Sequence, residues 1–295
     1  MSVSCGRKHN YLGMVLDYTK VGAIQVTMFD YIENMLSELP PTMDGKSSTP
    51  APLHLFDVNE EAIKLNEAEA QFFHHYVAKL LFLCKRARPD IQTAVAFLST
   101  RVQSPDVDDY KKLARTMRYL RATSKLRLTL QADDLSKMNW WVDASFAVHP
   151  NMRSHTGVVL SFGGGAIYGS STKQKLNTRS STEAELVGVN DALPQVLWTR
   201  QFLIEQGFKN TDPVIFQDNQ SAMLLEKHGR LSSGKRTCHI DVRYYFVKDR
   251  IASKEVRVEY CPTGDMLADY FTKPLQGGLF VKFRDMIMNS HSDPA

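Results

Sequence analysis

Asp143 closes the apolar run Trp140-Trp141-Val142-Asp143-Ala144-Ser145, and Asp218 closes Ile215-Phe216-Gln217-Asp218-Asn219-Gln220. Each carboxylate stands at the end of a segment apolar enough for a central strand. If the two strands are neighbours, both side chains emerge at one sheet edge. Two further acidic pairs fall on predicted helices, Glu183 with Glu185 and Asp265 with Asp269. Unpaired carboxylates gathered within a few ångströms repel one another and resist desolvation, so such a cluster has no stabilising purpose of its own. Divalent cations resolve the conflict. Mg²⁺ prefers carboxylate and water oxygens, and two such ions roughly 4 Å apart activate a water and stabilise the leaving oxygen of a phosphodiester.

Helix geometry sorts the candidates within each pair. Residues two apart point to nearly opposite sides of a helix. Ser180-Ser181-Thr182-Glu183 fits a capping box, which gives Glu183 a structural role at the helix start and leaves Glu185 as the metal candidate. Asp265 follows Gly264 where the helix dipole alone favours a carboxylate. Asp269, in Leu267-Ala268-Asp269, needs another reason to sit among apolar neighbours. It is preferred as the fourth ligand, with Asp265 as the alternative.

The elements that must position these groups follow from periodicity. Tyr11–Tyr18 and Val21–Met28 read as a hairpin, and Phe29–Leu39 as a helix ended by Pro40-Pro41. A proline-rich connector over 40–59 precedes three amphipathic helices, which start near Asn66, at Pro89-Asp90 and at Ser104-Pro105-Asp106. In the last of these Ser104 is the expected N-cap, with the proline in the first turn. The pattern changes near Lys125. Strands are expected over Arg127–Gln131, Asn139–Ser145, Thr156–Phe162 and Ala166–Ser170, the last two joined by Gly163-Gly164-Gly165. A long helix over Thr182–Gln206 contains Pro194, where a kink is expected. There follow a strand (Val214–Gln217), a helix from Asn219, a basic loop, a helix (Ile240–Ser253), a strand (Glu255–Tyr260), a short helix (Asp265–Phe271) and a C-terminal helix. This is a mixed α/β layout.

The bulk properties bound the answer loosely. The chain has 295 residues, 43% hydrophobic and 23% charged, with a formal net charge of +4. That balance permits a polyanionic partner without demanding one. Four cysteines without a C-x-x-C pair suggest neither a disulfide framework nor zinc. The N-terminal residues are not a secretory signal, and no apolar run approaches membrane-spanning length, so no membrane partner is expected. Trp140 and Trp141 face opposite ways on a strand, so at least one belongs to the core.

Several short segments together resemble the Pol protein of copia-type LTR retrotransposons. They are Arg88-Pro89-Asp90-Ile91, Met117-Arg118-Tyr119-Leu120, Val142-Asp143-Ala144-Ser145, Ser154-His155-Thr156-Gly157, Ser180-Ser181-Thr182-Glu183-Ala184-Glu185, Asp218-Asn219-Gln220-Ser221-Ala222, His239-Ile240-Asp241-Val242-Arg243-Tyr244 and Ala268-Asp269-Tyr270-Phe271-Thr272-Lys273-Pro274-Leu275. Each is weak alone, but their order across residues 9–276 is specific.

The resemblance implies an α/β, ribonuclease H-like mixed five-stranded sheet flanked by helices, preceded by a smaller hairpin-plus-helices segment. The implied domains are a remnant of the reverse transcriptase end over 1–130, a ribonuclease H-like domain over 131–277, and a C-terminal helix and tail over 278–295. It carries over a metal site of Asp143, Glu185, Asp218 and Asp269, holding two Mg²⁺, or Mn²⁺, ions. The implied activity is hydrolysis of the RNA strand of an RNA–DNA hybrid. The implied context is the remainder of a Pol polyprotein or a virus-like particle, in the cytoplasm or the nucleus. The polymerase motif Tyr-x-Asp-Asp is missing, because neither Asp108-Asp109 nor Asp133-Asp134 has a tyrosine two residues before it. Many cellular ribonucleases H carry a histidine before the last carboxylate. The corresponding loop here, Tyr260-Cys261-Pro262-Thr263-Gly264, has none.

Lys173, Lys175 and Arg179 precede the Glu185 helix, and Arg236, His239 and Arg243 follow Asp218. Beside a metal site they are candidates for phosphate contact. Two rival readings stay open. One is a non-catalytic nucleic-acid-binding or scaffold relic of a truncated element. The other is a DDE-type integrase or transposase, which the position of Glu185 between the two strand aspartates opposes.

Overall fold

The computed structural model describes residues 5–208, 211–228 and 238–290. The chain divides into two compact units. One contains the residues up to Gln131, Gly164–Ala166 and the segment from Pro274. The other contains Ala132–Gly163 and Ile167–Lys273.

In the first unit, β1 (Lys8–Tyr11), β2 (Met14–Asp17), β3 (Ala23–Thr27) and β4 (Leu128–Ala132) pair antiparallel in that order. The helices are α1 (Phe29–Ser37), α2 (Glu67–Cys84), α3 (Gln92–Ser99) and α4 (Val107–Ala122). Capping boxes open α2, through Asn66 and Glu69, and α4, through Asp106 and Asp109. The α4 N-cap is therefore Asp106 and not Ser104, because its carboxylate accepts from both the Asp108 and Asp109 N–H groups. Two of the sequence motifs meet in this unit as buried structure. Arg88 donates to both oxygens of Asp90 at 2.8 and 2.7 Å, and the Tyr119 hydroxyl donates to the same carboxylate at 2.8 Å. A buried charge pair needs such additional hydrogen bonds to offset its desolvation.

The second unit contains β5 (Lys137–Ser145), β6 (His155–Ser161), part of the two-residue β7 (Gly163–Gly164), β8 (Tyr168–Lys173), α5 (Ser181–Glu205), β9 (Asp212–Gln217), α6 (Gln220–His228), α7 (Cys238–Ala252), β10 (Arg257–Tyr260) and α8 (Asp269–Thr272). The remaining helix, α9 (Gly277–Met288), groups with the first unit. The five-stranded sheet runs β10-β9-β5-β6-β8. β6 is antiparallel to both β5 and β8, while β9 runs parallel to β5 and to β10. This is a mixed five-stranded sheet flanked by helices, as the motif order implied.

Alternation sorts the central strand into two faces. Met138, Trp140 and Val142 join Val158, Leu160, Ile215 and the α5 residues Val189, Leu193 and Val196 in one core. Trp141 points the other way and stacks on Phe216 with ring centroids 5.3 Å apart, over Cys261, Met266 and Ala268. α5 continues through Pro194 as one helix. The expected helix over Asp265–Phe271 is instead a 3₁₀ turn (Thr263–Asp265) followed by α8. Met266, with ψ of 88°, breaks the helical path between them. Among the described residues, no helix is long and apolar enough to cross a membrane.

Candidate metal centre

The register explains why the strand aspartates meet. β5 and β9 are parallel neighbours with Trp141 opposite Phe216. Asp143 and Asp218 each lie two residues further on, so both carboxylates leave the same end and the same face of the sheet. α8 packs on β5 and β6 and brings Asp269 to them. Asp143, Asp218 and Asp269 each offer an oxygen, all within 4.8 Å of one another.

Gly157 permits this approach. It lies opposite Asp143 across the β5–β6 ladder. A Cβ at Gly157 would meet the Ala268 carbonyl oxygen at 2.6 Å, Thr272 Cγ2 at 2.8 Å and Phe271 Cβ at 2.9 Å. The turn carrying Asp269 therefore rests directly on bare backbone.

Glu185 enters from the first turns of α5 and is buried. Burial, then Asp143, then Asp218 drive its carboxyl well above the usual range, against the pull of the Ala144 backbone N–H. Its Oε2 is buried without a hydrogen-bond partner. Glu183 has a different role. The Ser180 hydroxyl accepts from the Glu183 N–H at 3.2 Å, and the Glu183 carboxylate accepts from the Arg179 N–H at 2.8 Å. Its carboxylate thus reaches back one residue beyond the N-cap. Asp265 is exposed in the 3₁₀ turn.

The electrostatics are those of crowded acids. Burial raises the Asp143 carboxyl, as does Asp218, while Lys273 and the Thr272 hydroxyl act against the rise. Asp269 is pushed up to about 7 by burial and by Asp143, in spite of Lys273. The Lys273 ammonium lies 2.7 Å from Asp269 and 3.7 Å from Asp143. Burial alone would lower its pKa, but Asp143 and Asp269 together raise it. The Thr272 hydroxyl donates to Asp143. The Thr263 hydroxyl donates to Asp218 at 3.0 Å, so the loop without a histidine still touches the cluster.

The donor set fits hard divalent cations. It is all oxygen, it carries several acids whose ionisation is opposed by burial, and one buried carboxylate oxygen has no other partner. Asp143, Asp218 and Asp269 are the residues that could hold such an ion, with the buried Glu185 coupled to them electrostatically.

Three supporting residues escaped sequence reasoning. Lys273 stands one helical turn from Asp269, a spacing that could have revealed the pair. Gly157 gave no signal beyond its place in a short motif. Gln174 is buried, and its amide donates to Thr156 Oγ1 and to the Ala184 carbonyl, both at 2.9 Å. It thereby fixes the start of α5 beside Glu185.

The basic candidates are scattered in status. Lys173 is half-buried, while Lys175 and Arg179 are exposed. Arg243 pairs with Asp191 at 2.9 Å. Arg236 lies outside the described residues. His239 falls within α7, but its side chain is also outside what is described.

No family model matches the chain. It is 30% identical over 212 residues to the "Retrovirus-related Pol polyprotein from transposon TNT 1-94" of Nicotiana tabacum, covering 72% of this chain and 16% of that protein. Against the "Retrovirus-related Pol polyprotein from transposon RE1" of Arabidopsis thaliana it is 34% identical over 202 residues, covering 68% and 14%. The chain thus spans only 14–16% of the length of these relatives. Among solved structures, an RNase H1 isolated from compost by a metagenomic approach aligns with 46% of this chain and 92% of its own, at 13% identity and a TM-score of 0.36. The foamy viral protease-reverse transcriptase in complex with dsDNA aligns with 88% of this chain and 45% of its own, at 11% identity and a TM-score of 0.45. Its sequence makes the chain a homologue of the copia-type retrotransposon Pol polyproteins, matching a segment of them.

Proposed function

We propose that the second unit is a metal-dependent endonuclease that hydrolyses the RNA strand of RNA–DNA hybrids. The observation that carries this reading is the convergence of three carboxylates within 4.8 Å, from β5, the end of β9 and α8, beside the buried Glu185. Structural economy does not explain such a cluster, because each acid raises the cost of ionising the next.

Cations held by these four residues would supply the Lewis acidity that makes a water nucleophilic and offsets charge on the leaving oxygen. The chain supplies the rest. The Thr272 hydroxyl orients Asp143, and the Thr263 hydroxyl orients Asp218. Lys273 balances part of the negative charge when no divalent ion is bound. The exposed Lys175 and Arg179, just before α5, offer contacts for the phosphate backbone. A hybrid would be read by its shape and its 2′-hydroxyls rather than by sequence. Products with 5′-phosphate and 3′-hydroxyl ends are expected. We further assign the first unit to the end of a reverse transcriptase region, on the motifs around Arg88 and Tyr119.

The direct test is Asp143→Asn. Mg²⁺-dependent cleavage of a labelled hybrid should disappear while the circular dichroism spectrum is retained. Unchanged cleavage would refute the assignment. A folded wild-type chain that retards a hybrid on a gel but never cuts it would favour the non-catalytic reading instead.

A further inference from the structure

Behind the carboxylate cluster lies a chain of buried polar groups that the chemistry above does not use. His149 Nε2 lies 2.9 Å from His155 Nδ1. His155 Nε2 lies 2.7 Å from the Ser171 hydroxyl. That hydroxyl lies 2.7 Å from the Phe271 carbonyl oxygen. All three side chains are buried. The far end of the chain is on α8, the turn that carries Asp269 and Thr272.

The direction of the protons in this chain follows from its carbonyl end and from the burial of His155. A carbonyl oxygen can only accept, so the single Ser171 proton points at Phe271. The hydroxyl must then accept from His155, which places a proton on His155 Nε2. Burial holds His155 neutral, with its pKa lowered to about 3, and His149 and Lys173 push the same way. A neutral imidazole protonated on Nε2 has an accepting Nδ1. His149 must therefore donate from its own Nε2. Its pKa is lowered to about 4 by burial and by Lys173.

The anchored atom matters because of where it is. α8 has only four residues, too few for intrahelical bonds to hold its last carbonyls. The Phe271 carbonyl is taken by Ser171, and the Thr272 carbonyl more loosely by Ser145 at 3.3 Å. Beside Ser171, its cross-strand partner Gly157 supports the same turn. The turn is thus pressed against β6 by contact and tied to β8 by one well-formed hydrogen bond.

We propose that His149, His155 and Ser171 are positioning residues that form a one-way hydrogen-bond relay, and that this relay fixes the Phe271 carbonyl and hence the Asp269 turn for cation binding. The proposal rests on the metal-site reading above. The relay sets the angle from which Asp269 and Thr272 meet Asp143, as groups behind a metal ligand set its orientation. Loss of such support typically costs about 10- to 100-fold in metal affinity.

Two measurements on the full chain test it. In a long-range ¹H–¹⁵N correlation spectrum, His149 and His155 should both be neutral and protonated on Nε2. A cationic His155, or one protonated on Nδ1, overturns the relay whether or not the protein cuts anything. Ser171→Ala should weaken calorimetric Mn²⁺ binding at least tenfold and raise the Mg²⁺ concentration for half-maximal cleavage equally. Saturating Mg²⁺ should recover most of the rate, and Ser171→Thr, which keeps the hydroxyl, should recover the affinity. A purely structural role would instead lower the active fraction by the same factor at every Mg²⁺ concentration. Ser171→Ala with wild-type Mn²⁺ affinity sinks the relay alone. A wild-type chain that binds Mn²⁺ and shows the expected tautomers but leaves hybrids intact sinks the nuclease reading alone. If Ser171→Ala does not fold, the wild-type tautomers decide.

Discussion

Gly157→Ala isolates the steric condition for the site. The added methyl would lie 2.6 Å from the Ala268 carbonyl oxygen and under 3 Å from Thr272 Cγ2 and Phe271 Cβ. Carbon–carbon contacts are most favourable at about 3.5–4.0 Å, so the turn must retreat by roughly 1 Å. The Ala268 carbonyl and Phe271 Cβ are fixed by the backbone, and Thr272 Cγ2 can turn away only by moving the hydroxyl bonded to Asp143. Overpacking of this kind costs about 1–3 kcal/mol, or roughly 2–12 °C in Tm for a domain of this size. The catalytic loss should be larger, because Asp269 and the Thr272 hydroxyl move with the turn while Asp143 stays on its strand. A displacement of about 1 Å can cost on the order of 100-fold in rate. The assay is single-turnover hybrid cleavage at saturating Mg²⁺, beside thermal unfolding in chelator. Gly188→Ala is the control. Its Cβ would meet nothing closer than 3.4 Å, and alanine in a helix interior gains up to about 1 kcal/mol over glycine. It should unfold no earlier than wild type and cut normally. A Gly157→Ala protein that cuts as fast as wild type would refute the claim that close backbone approach sets the site.

Lys273→Met removes the ammonium that shares Asp143 and Asp269 with any incoming cation. Calorimetry should show Mn²⁺ binding strengthened several-fold, and the Tm in chelator should fall. Weaker Mn²⁺ binding would mean that Lys273 supports the ion instead of competing with it. The raised carboxyls also fix a pH dependence. Asp269 titrates at about 7 in the folded chain and near 3.9 in an unfolded one. Between those values the folded chain holds a proton here that the unfolded chain has lost, so this group's contribution to stability in chelator falls as pH rises through this window. The buried neutral His149 and His155, at about 4 and 3, add an opposing rise in stability with pH, so the Asp269 contribution is read against a variant that lacks it. Relative to chelated Asp269→Asn, chelated wild type should lose Tm between pH 5 and pH 8, and the variant should not cleave. Saturating Mg²⁺ should remove that loss, since cations favour the ionised cluster. A Tm difference between chelated wild type and Asp269→Asn that stays the same from pH 5 to pH 8 would contradict the crowded-acid description.

Local chemistry made much of this molecule legible from its residues. Apolar runs ending in Asp143 and Asp218 marked two central strands and the end from which their carboxylates leave. Helical spacing separated Glu185 from Glu183. Even there the nearest signal could mislead, because Ser104 looked like the cap that Asp106 provides. The break at Met266 was also invisible in a stretch whose acids alone suggested one continuous helix.

Tertiary structure decided the rest, because those facts depend on groups far apart in the chain. Thr272 and Asp143 are 129 residues apart, and their hydrogen bond exists only because Gly157 lets α8 settle on β6. No local pattern distinguishes a glycine that admits a neighbour from one that turns the chain. The ionisation of Asp269 and the proton order from His149 to Phe271 are likewise set by desolvation and by partners from other strands. Residue types and short-range spacing determine which groups are available and which way they face. Burial and long-range packing determine which of them meet and in what protonation state, since the free energy of a charge or a hydrogen bond belongs to its surroundings and not to its position in the sequence.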